Sequence, residues 1–401
     1  MGSKKLWCVI VAVLAVGVMV VPSLAHAQAA PKTIQIGIHA AVTGFNSGME
    51  TQVRDGALAG IDWLNEKGGI TIKGEKYKFV GVVEDNKTTP EGSKAAAEKL
   101  VYDHKVKFIT GSVIPFINVA MAGVTESAKV IRSVDYSTEA PHEMGKDLPF
   151  TFRSNPAIIE GVGTALQYLV EKFPNAKNVV IAIAESGADE ALINITDREC
   201  NKRGLKRVGA VPYAMDTVDF YPKTTEMLSH KPDVILIGNG GEVATAPLAK
   251  ALREQGFKGP LVFGNYDDPY EVEKVVGKDY LAPFWTHGWS KDLNDPNLST
   301  EYKEIVRRME ARGGFHQWNL WGWSEVWTLA QAIEKAQSLD TTVVANSWRK
   351  MTKIETPYGE GHMCGEKTIG INNVVCSRVA ITEVLPGGQV KHIKWIPVDV
   401  P

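Results

Sequence analysis

The chain has 401 residues, of which 44% are hydrophobic and 22% charged, with 44 Lys and Arg against 46 Asp and Glu. The near balance of charge, with no basic stripe, excludes a nucleic-acid partner, and a chain of this length exceeds what one hydrophobic core serves, so two domains are expected. The first 27 residues read as a secretory signal. Lys4 and Lys5 precede the uncharged apolar run Leu6–Val21, Pro22 ends it, and Ala25-His26-Ala27 is a small-x-small cleavage site, placing the cut after Ala27 and the mature protein in the periplasm. The run is shorter than the ~20 residues of a spanning helix, and Cys8 lies inside it, not behind a lipidation motif.

From Ile34 the pattern is a strand, a small-residue loop and an amphipathic helix. Ile34, Ile36 and Ile38 alternate, Gly44 and Gly48 mark the loop, and Val53, Ala57, Ile61 and Leu64 share one helix face that Gly68-Gly69 closes. The rhythm continues with strands expected at 77–83, 106–110, 130–134, 178–184, 206–211, 233–238 and 261–264. Helices are expected at 51–67, 89–103, 118–128, 158–172, 189–203, 221–229, 242–255 and 270–276. Thr89-Pro90 supplies a cap and a first-turn proline. Ile159, Val162, Leu166 and Leu169 line one face of the fourth helix. Such alternation specifies parallel sheets with right-handed crossovers.

A polar stretch with three prolines, 135–157, interrupts the alternation, and a second irregular stretch runs from Pro283 to Pro296. Long helices at 298–312, 320–337 and 341–351 follow. The expected architecture is α/β, with two doubly wound parallel-sheet lobes joined by a hinge. Lobe 1 holds 32–151 plus 286–355 and lobe 2 holds 152–285 plus 356–401, with a third crossing near Glu355–Tyr358 and a strand-rich tail. A cleft between hinged lobes is a natural ligand site.

Cys364 and Cys376, twelve residues apart, are expected to pair in an oxidising compartment, leaving Cys200 as a buried free thiol. His362-x-Cys364 lacks the paired ligand spacing of a metal site. Gly238-Asn239-Gly240-Gly241 follows a strand, but position 243 is Val and no ribose-binding acid follows, so no dinucleotide cofactor is expected. His39, His104, His142, His230, His287, His316, His362 and His392 sit in no recognisable nucleophile motif, and an enzyme is not expected.

The order of the segments IGIHAAVTG (36–44), GALAGIDWLNEKGGI (56–70), VEDNKTTPEGSKAAAEKLV (83–101), ITGSV (109–113), FRSNP (152–156), DFYP (219–222) and LAKALREQGFKGPLVFGN (248–265) resembles the type 1 periplasmic solute-binding proteins of the leucine/isoleucine/valine-binding family. The resemblance spans nearly the whole mature chain. It implies a clamshell that closes on a small solute and is read by an ABC permease in the inner membrane, acting as a monomer and without a cofactor. A ligand sensor of the same fold, docking on a receptor or regulator, is the alternative.

The family holds its ligand carboxylate on lobe 1. Where its serine is expected, four residues past Gly111, this chain has Pro115 and then Phe116, and the next loop offers Tyr136, Ser137 and Thr138. Gly240, and Ala188 or Asp189, stand where the family often has lid aromatics. Tyr266, followed by Asp267 and Asp268, stands where leucine-type members place a Glu. Phe45, Glu185 and Asn239 complete the candidate ligand set. The substitutions imply a carboxylate-bearing solute that is amino-acid-like or aromatic, in space opened by Gly240 and Ala188. Trp318, Trp321, Trp323, Trp327 and Phe315 read mainly as packing, with Trp323 and Trp327 facing one sheet.

Overall fold

A computed structural model describes residues 31–135, 142–185, 189–264, 268–281, 284–286, 290–385 and 389–398. The first half contains β1 (Lys32–Ala40), α1 (Ser47–Glu66), β2 (Ile70–Ile72), β3 (Glu75–Asp85), α2 (Pro90–Glu98), β4 (Phe108–Thr110), α3 (Pro115–Ser127), β5 (Ile131–Ser133) and β6 (Thr151–Phe152). Next come α4 (Ile158–Lys172), β7 (Asn178–Ala184), α5 (Asp189–Asn201), β8 (Lys206–Tyr213), α6 (Tyr221–Ser229) and β9 (Val234–Ile237). They are followed by α7 (Gly241–Glu254), β10 (Leu261–Phe263), α8 (Pro269–Val276), α9 (Lys278–Leu281) and β11 (Phe284–Thr286). The last part holds α10 (Thr300–Glu310), α11 (Gln317–Ala336), α12 (Thr341–Trp348), β12 (Ile354–Thr356), β13 (Gly359–Cys364), α13 (Glu366–Ile369), β14 (Val374–Cys376), β15 (Arg378–Leu385) and β16 (Gln389–Pro397).

The strands form two large sheets, ordered β2-β3-β1-β4-β5-β6 and β16-β15-β11-β10-β9-β7-β8, with β12-β13-β14 as a small third sheet. Every pairing among β1, β3, β4, β5 and β6, and among β7 to β11, is parallel. Strand β7 is nearly all apolar (NVVIAIA) and buried, as a strand covered on both faces must be. The expected two-lobed α/β architecture is therefore what forms.

Strand β2 was not expected. It pairs antiparallel with β3 (Ile72↔Glu75) across Lys73-Gly74, both at positive φ (50° and 82°), the conformation of a two-residue hairpin turn. Helix α2 also ends earlier than its period suggests, widening into π turns over Lys99–Asp103.

Helix α1 buries Val53, Ala57, Ile61 and Leu64, the face its spacing specifies. It lies against α11. A Cβ on Gly56 would collide with the Asn319 carbonyl, and one on Gly322 with the Val53 carbonyl, so both glycines are what allows the two backbones to touch. Trp318, Trp321, Trp323 and Trp327 are all buried. Trp323 and Trp327 meet Trp63 of α1 at 5.2 and 5.0 Å between ring centroids, so their packing partner includes this helix and not a sheet alone.

One apolar cluster joins the first sheet to α1, α10, α11 and α12, and separate clusters flank the two faces of the second sheet. Ile354, Tyr358, Met363 and Val375, from β12 to β14, belong to the first cluster, and Arg153 bridges Val374. Strand β15 of the second sheet begins only at Arg378. The Cys364–Cys376 disulfide is present, with Cα atoms 6.0 Å apart, and ties β13 to β14. Cys200 is free and buried, and burial pushes its thiol up to about 12.

Candidate functional site in the inter-lobe cleft

The loops after β1, β3 and β4 are fixed by one buried acid. Glu50, in the first turn of α1, accepts the Ala41 N–H, the Val113 N–H (3.4 Å) and the Asn86 side-chain amide (2.7 Å). Burial raises its pKa, and these donors offset part of the rise. The Asn86 amide also lies 3.4 Å from His39 Nδ1, while His39 Nε2 lies 3.0 Å from the Ser93 carbonyl. Burial lowers His39 to about 4, so the ring is neutral, with Nε2–H donating to Ser93.

Above this floor, Asp85 holds the loop after β1. It accepts N–H bonds from Val42 (2.9 Å) and Thr43 (3.2 Å) and the Thr43 hydroxyl (2.6 Å). Burial opposes its ionisation, but the Thr43 hydroxyl and the N–H groups of Lys87, Thr43 and Val42 outweigh it and lower the pKa. Phe45, on the same loop, is 68% exposed.

Pro115 is buried at the start of α3 and Phe116 is half-buried beside it. At the end of β5, Asp135 is fully buried against Glu325 of α11, which accepts the Gly111 N–H at 2.7 Å. Asn155 donates to both Asp135 oxygens (3.0 and 2.9 Å) and accepts from the Tyr358 hydroxyl at 3.1 Å. Burial raises Asp135 to about 7, and burial with the neighbouring Asp135 charge raises Glu325 well above the carboxylate range, so Glu325 keeps its proton and shares it with Asp135. Tyr136, Ser137 and Thr138 lie outside the described residues, as do Ala188, Tyr266 and Asp267.

On the second lobe, Asn239 is buried, and its side-chain amide pairs with the backbone of Ala184 in both directions (2.7 and 2.9 Å), locking β9 to β7. Gly240 has φ +114°, and a Cβ there would meet the Tyr213 hydroxyl, which itself donates to the Asn239 carbonyl at 2.7 Å. The space that Gly240 was expected to open is therefore filled by Tyr213. Glu185 is exposed at the end of β7. Asp268 caps α8, accepting from Tyr270 N–H at 2.8 Å, and its own N–H donates to Glu242 at 2.9 Å. His316, at the start of α11, lies 3.6 Å from both Glu242 and Asp268 and so brings the lobes together at the carboxyl ends of their strands.

Sequence reasoning missed Glu50, Asn86, Asp135, Glu325 and the His316 contact. The available signal was weak. Glu325 is the only ionisable residue in the Trp-rich stretch QWNLWGWSEVWTLAQA. Surface cavities of about 660 and 350 Å³ lie elsewhere, one beside Ala176, Asp233 and Gly259 at the amino ends of the second sheet and one beside Gln52 and Arg312.

Two parallel-sheet lobes meeting at their strand carboxyl ends define a hinged binding protein. The chain belongs to the periplasmic binding protein family, whose model matches residues 33–388. Members of this family are extracytoplasmic substrate-binding proteins and not enzymes. Among relatives, a Leu/Ile/Val-binding protein homolog 1 of Brucella suis is 24% identical over 345 residues, covering 86% of this chain and 90% of that protein. The structure resembles a Rhodopseudomonas palustris BisB5 ABC-transporter solute-binding protein in complex with 3,4-dihydroxybenzoic acid (TM-score 0.73, 17% identity, 91% of this chain and 97% of that one). It equally resembles LivJ, a branched-chain amino acid transporter substrate-binding protein of Streptococcus pneumoniae, in complex with isoleucine (TM-score 0.73, 17% identity, 92% and 100%). No helix among the described residues is long and apolar enough to cross a membrane.

Proposed function

We propose that this protein captures a small carboxylate-bearing solute between its lobes and delivers it to an ABC permease in the inner membrane. The observation that supports this reading is the approach of His316, at the start of α11, to Glu242 and Asp268, which follow β9 and β10 of the other sheet. Isoleucine and 3,4-dihydroxybenzoate, bound by the two similar proteins, share a carboxylate and differ in bulk. With a carboxylate as the common chemistry, Tyr136, Ser137 and Thr138 are the proposed anion contacts. Phe45, Phe116, Tyr266 and Asp267 are the proposed contacts to the rest of the solute.

We place the lobe boundaries near residues 152, 286 and 377, since the small third sheet shares the first lobe's core. We also propose cleavage after Ala27, which N-terminal sequencing tests by finding Gln28. The ligand test is native mass spectrometry followed by a thermal-shift screen. The expected result is stabilisation by 3,4-dihydroxybenzoate, 4-hydroxybenzoate or a branched-chain amino acid. A response to neutral sugars alone would refute a carboxylate ligand.

A further inference from the structure

His316 belongs to the first lobe, since it caps α11, the helix packed on α1. Its Nδ1 accepts the Trp318 N–H at 3.4 Å, and the Asn319 side chain accepts the His316 N–H at 2.7 Å. The first bond holds the ring and the second holds its backbone. With Nδ1 occupied as an acceptor, the proton of the neutral imidazole sits on Nε2, and Nε2 faces the second lobe.

Two acids meet it there. Glu242 is in the first turn of α7 and Asp268 caps α8, and the Asp268 N–H to Glu242 bond (2.9 Å) holds the pair together. Each lies 3.6 Å from Nε2. That separation is too long for a hydrogen bond. A small further rotation of the lobes would bring it within hydrogen-bond reach.

We propose that His316 is the positioning residue of an inter-lobe latch, its Nε2–H engaging Glu242 and Asp268 so that the cleft is held shut. The proposal rests on the reading of the cleft as a closing solute site. The other charged groups facing the ring are Glu271 and Lys274 of α8 and Lys291 of the segment after β11. Burial lowers the imidazole to about 4, which keeps it a neutral donor. Burial also raises both acids, Asp268 to about 7. The latch thus closes without trapping a full set of unscreened charges, which a buried contact tolerates poorly.

The test needs no ligand. Small-angle scattering on the mature protein reads the radius of gyration, about 21 Å for a compact chain of this length. His316→Ala is expected to lower the closed fraction roughly fivefold, the loss of one hydrogen bond, and to raise the radius. His316→Gln, which keeps both a donor at that position and a capping acceptor, is expected to restore the wild-type radius. Because His316→Ala also removes a cap of α11, Glu242→Ala supplies the same test from the other lobe. It is expected to expand the protein as much as His316→Ala, and the double variant no further. Equal radii for wild type and Glu242→Ala, or additive expansion in the double variant, would overturn the latch. A thermal-shift series with isoleucine and 3,4-dihydroxybenzoate on the wild type separates the two ideas. Absence of any shift removes the solute reading and leaves the ligand-free scattering result standing on its own.

Discussion

The buried acid pair beneath the cleft makes stability depend on pH in an unusual direction. Asp135 and Glu325 are both fully buried, and Asp135 is raised from 3.8 to about 7, chiefly by burial. Its folded pKa lies above its unfolded one. The contribution to stability is therefore fully present below the unfolded pKa and is lost as pH rises through the folded value, between about 4 and 7. At ~1.4 kcal/mol per tenfold change in proton affinity, the loss from Asp135 alone is on the order of 4 kcal/mol, an upper figure because the buried site relaxes and admits some solvent. That is a large part of a typical folding free energy. Ordinary salt-bridged carboxylates do the reverse.

The measurement is urea unfolding of wild type and of Asp135→Asn/Glu325→Gln at half-unit steps from pH 4.5 to 8. His39, lowered to about 4, contributes in the opposite sense, gaining stability as pH rises towards 6.5, and Asp268 in the same sense as Asp135. Both groups are present in both proteins and cancel in the difference. The wild-type advantage is expected to shrink steadily as pH rises. The Asn155 amide and the Gly111 N–H keep acceptors in the variant, so it should fold. A difference that is flat, or that grows with pH, would show that the two carboxyls do not share a proton in the folded protein.

Three further outcomes are expected. Gly322→Ala drives a methyl group into the Val53 carbonyl and should destabilise by ~1–3 kcal/mol or more, read as a lowered urea midpoint. An unchanged midpoint would mean that α1 and α11 are less closely apposed. Cys364→Ser opens a loop whose ends are twelve residues apart and should cost roughly 3 kcal/mol, whereas Cys200→Ser should leave non-reducing peptide maps unaltered. Glu160→Ala removes the carboxylate paired with Arg153 in the first crossing, both buried, and should cost ~3–5 kcal/mol by thermal or urea unfolding. A loss below ~1 kcal/mol would place the pair among weak surface bridges.

Much of the fold was legible because its signals are local. The 3.6-residue spacing from Val53 to Leu64 and the apolar run of β7 each report burial within one element. The hairpin at Lys73-Gly74 was overlooked because a three-residue strand carries too little pattern to register. The tail was hard to place for a different reason. Short strands between Ile354 and Cys376 have no period that says which core they cover, and Tyr358 and Val375 pack into the cluster of the first sheet.

The candidate site was legible as a location and much less as chemistry. Pro115, Phe116, Asn239 and Gly240 fall at strand carboxyl ends, where the alternation of elements must put a cleft. The Asn239 side chain nonetheless pairs with the Ala184 backbone, and the Tyr213 hydroxyl occupies the place a side chain on Gly240 would take, because a residue type says nothing about which neighbour reaches it first. The buried acids were invisible for a related reason. Glu50 meets Asn86 across 36 residues, and Glu325 meets Gly111 across 214, so no window of sequence contains both partners. Placing ionisable groups there opposes stability, since a packed apolar residue of similar size is often at least as stable as a buried charge. What these groups provide instead is fixed loop geometry. Glu50 pins the loops after β1, β3 and β4 from below, and the Asp135–Glu325 pair ties the end of β5 to α11 and, through Asn155, to the first crossing between lobes. The same helix carries His316 at its N-terminus, so the element that fixes the loops after β4 and β5 also presents the contact across the cleft. Movement of one lobe on the other is then referred to α11, and the residues that set its position relative to β5 are the ones through which closure and solute binding are expected to be coupled.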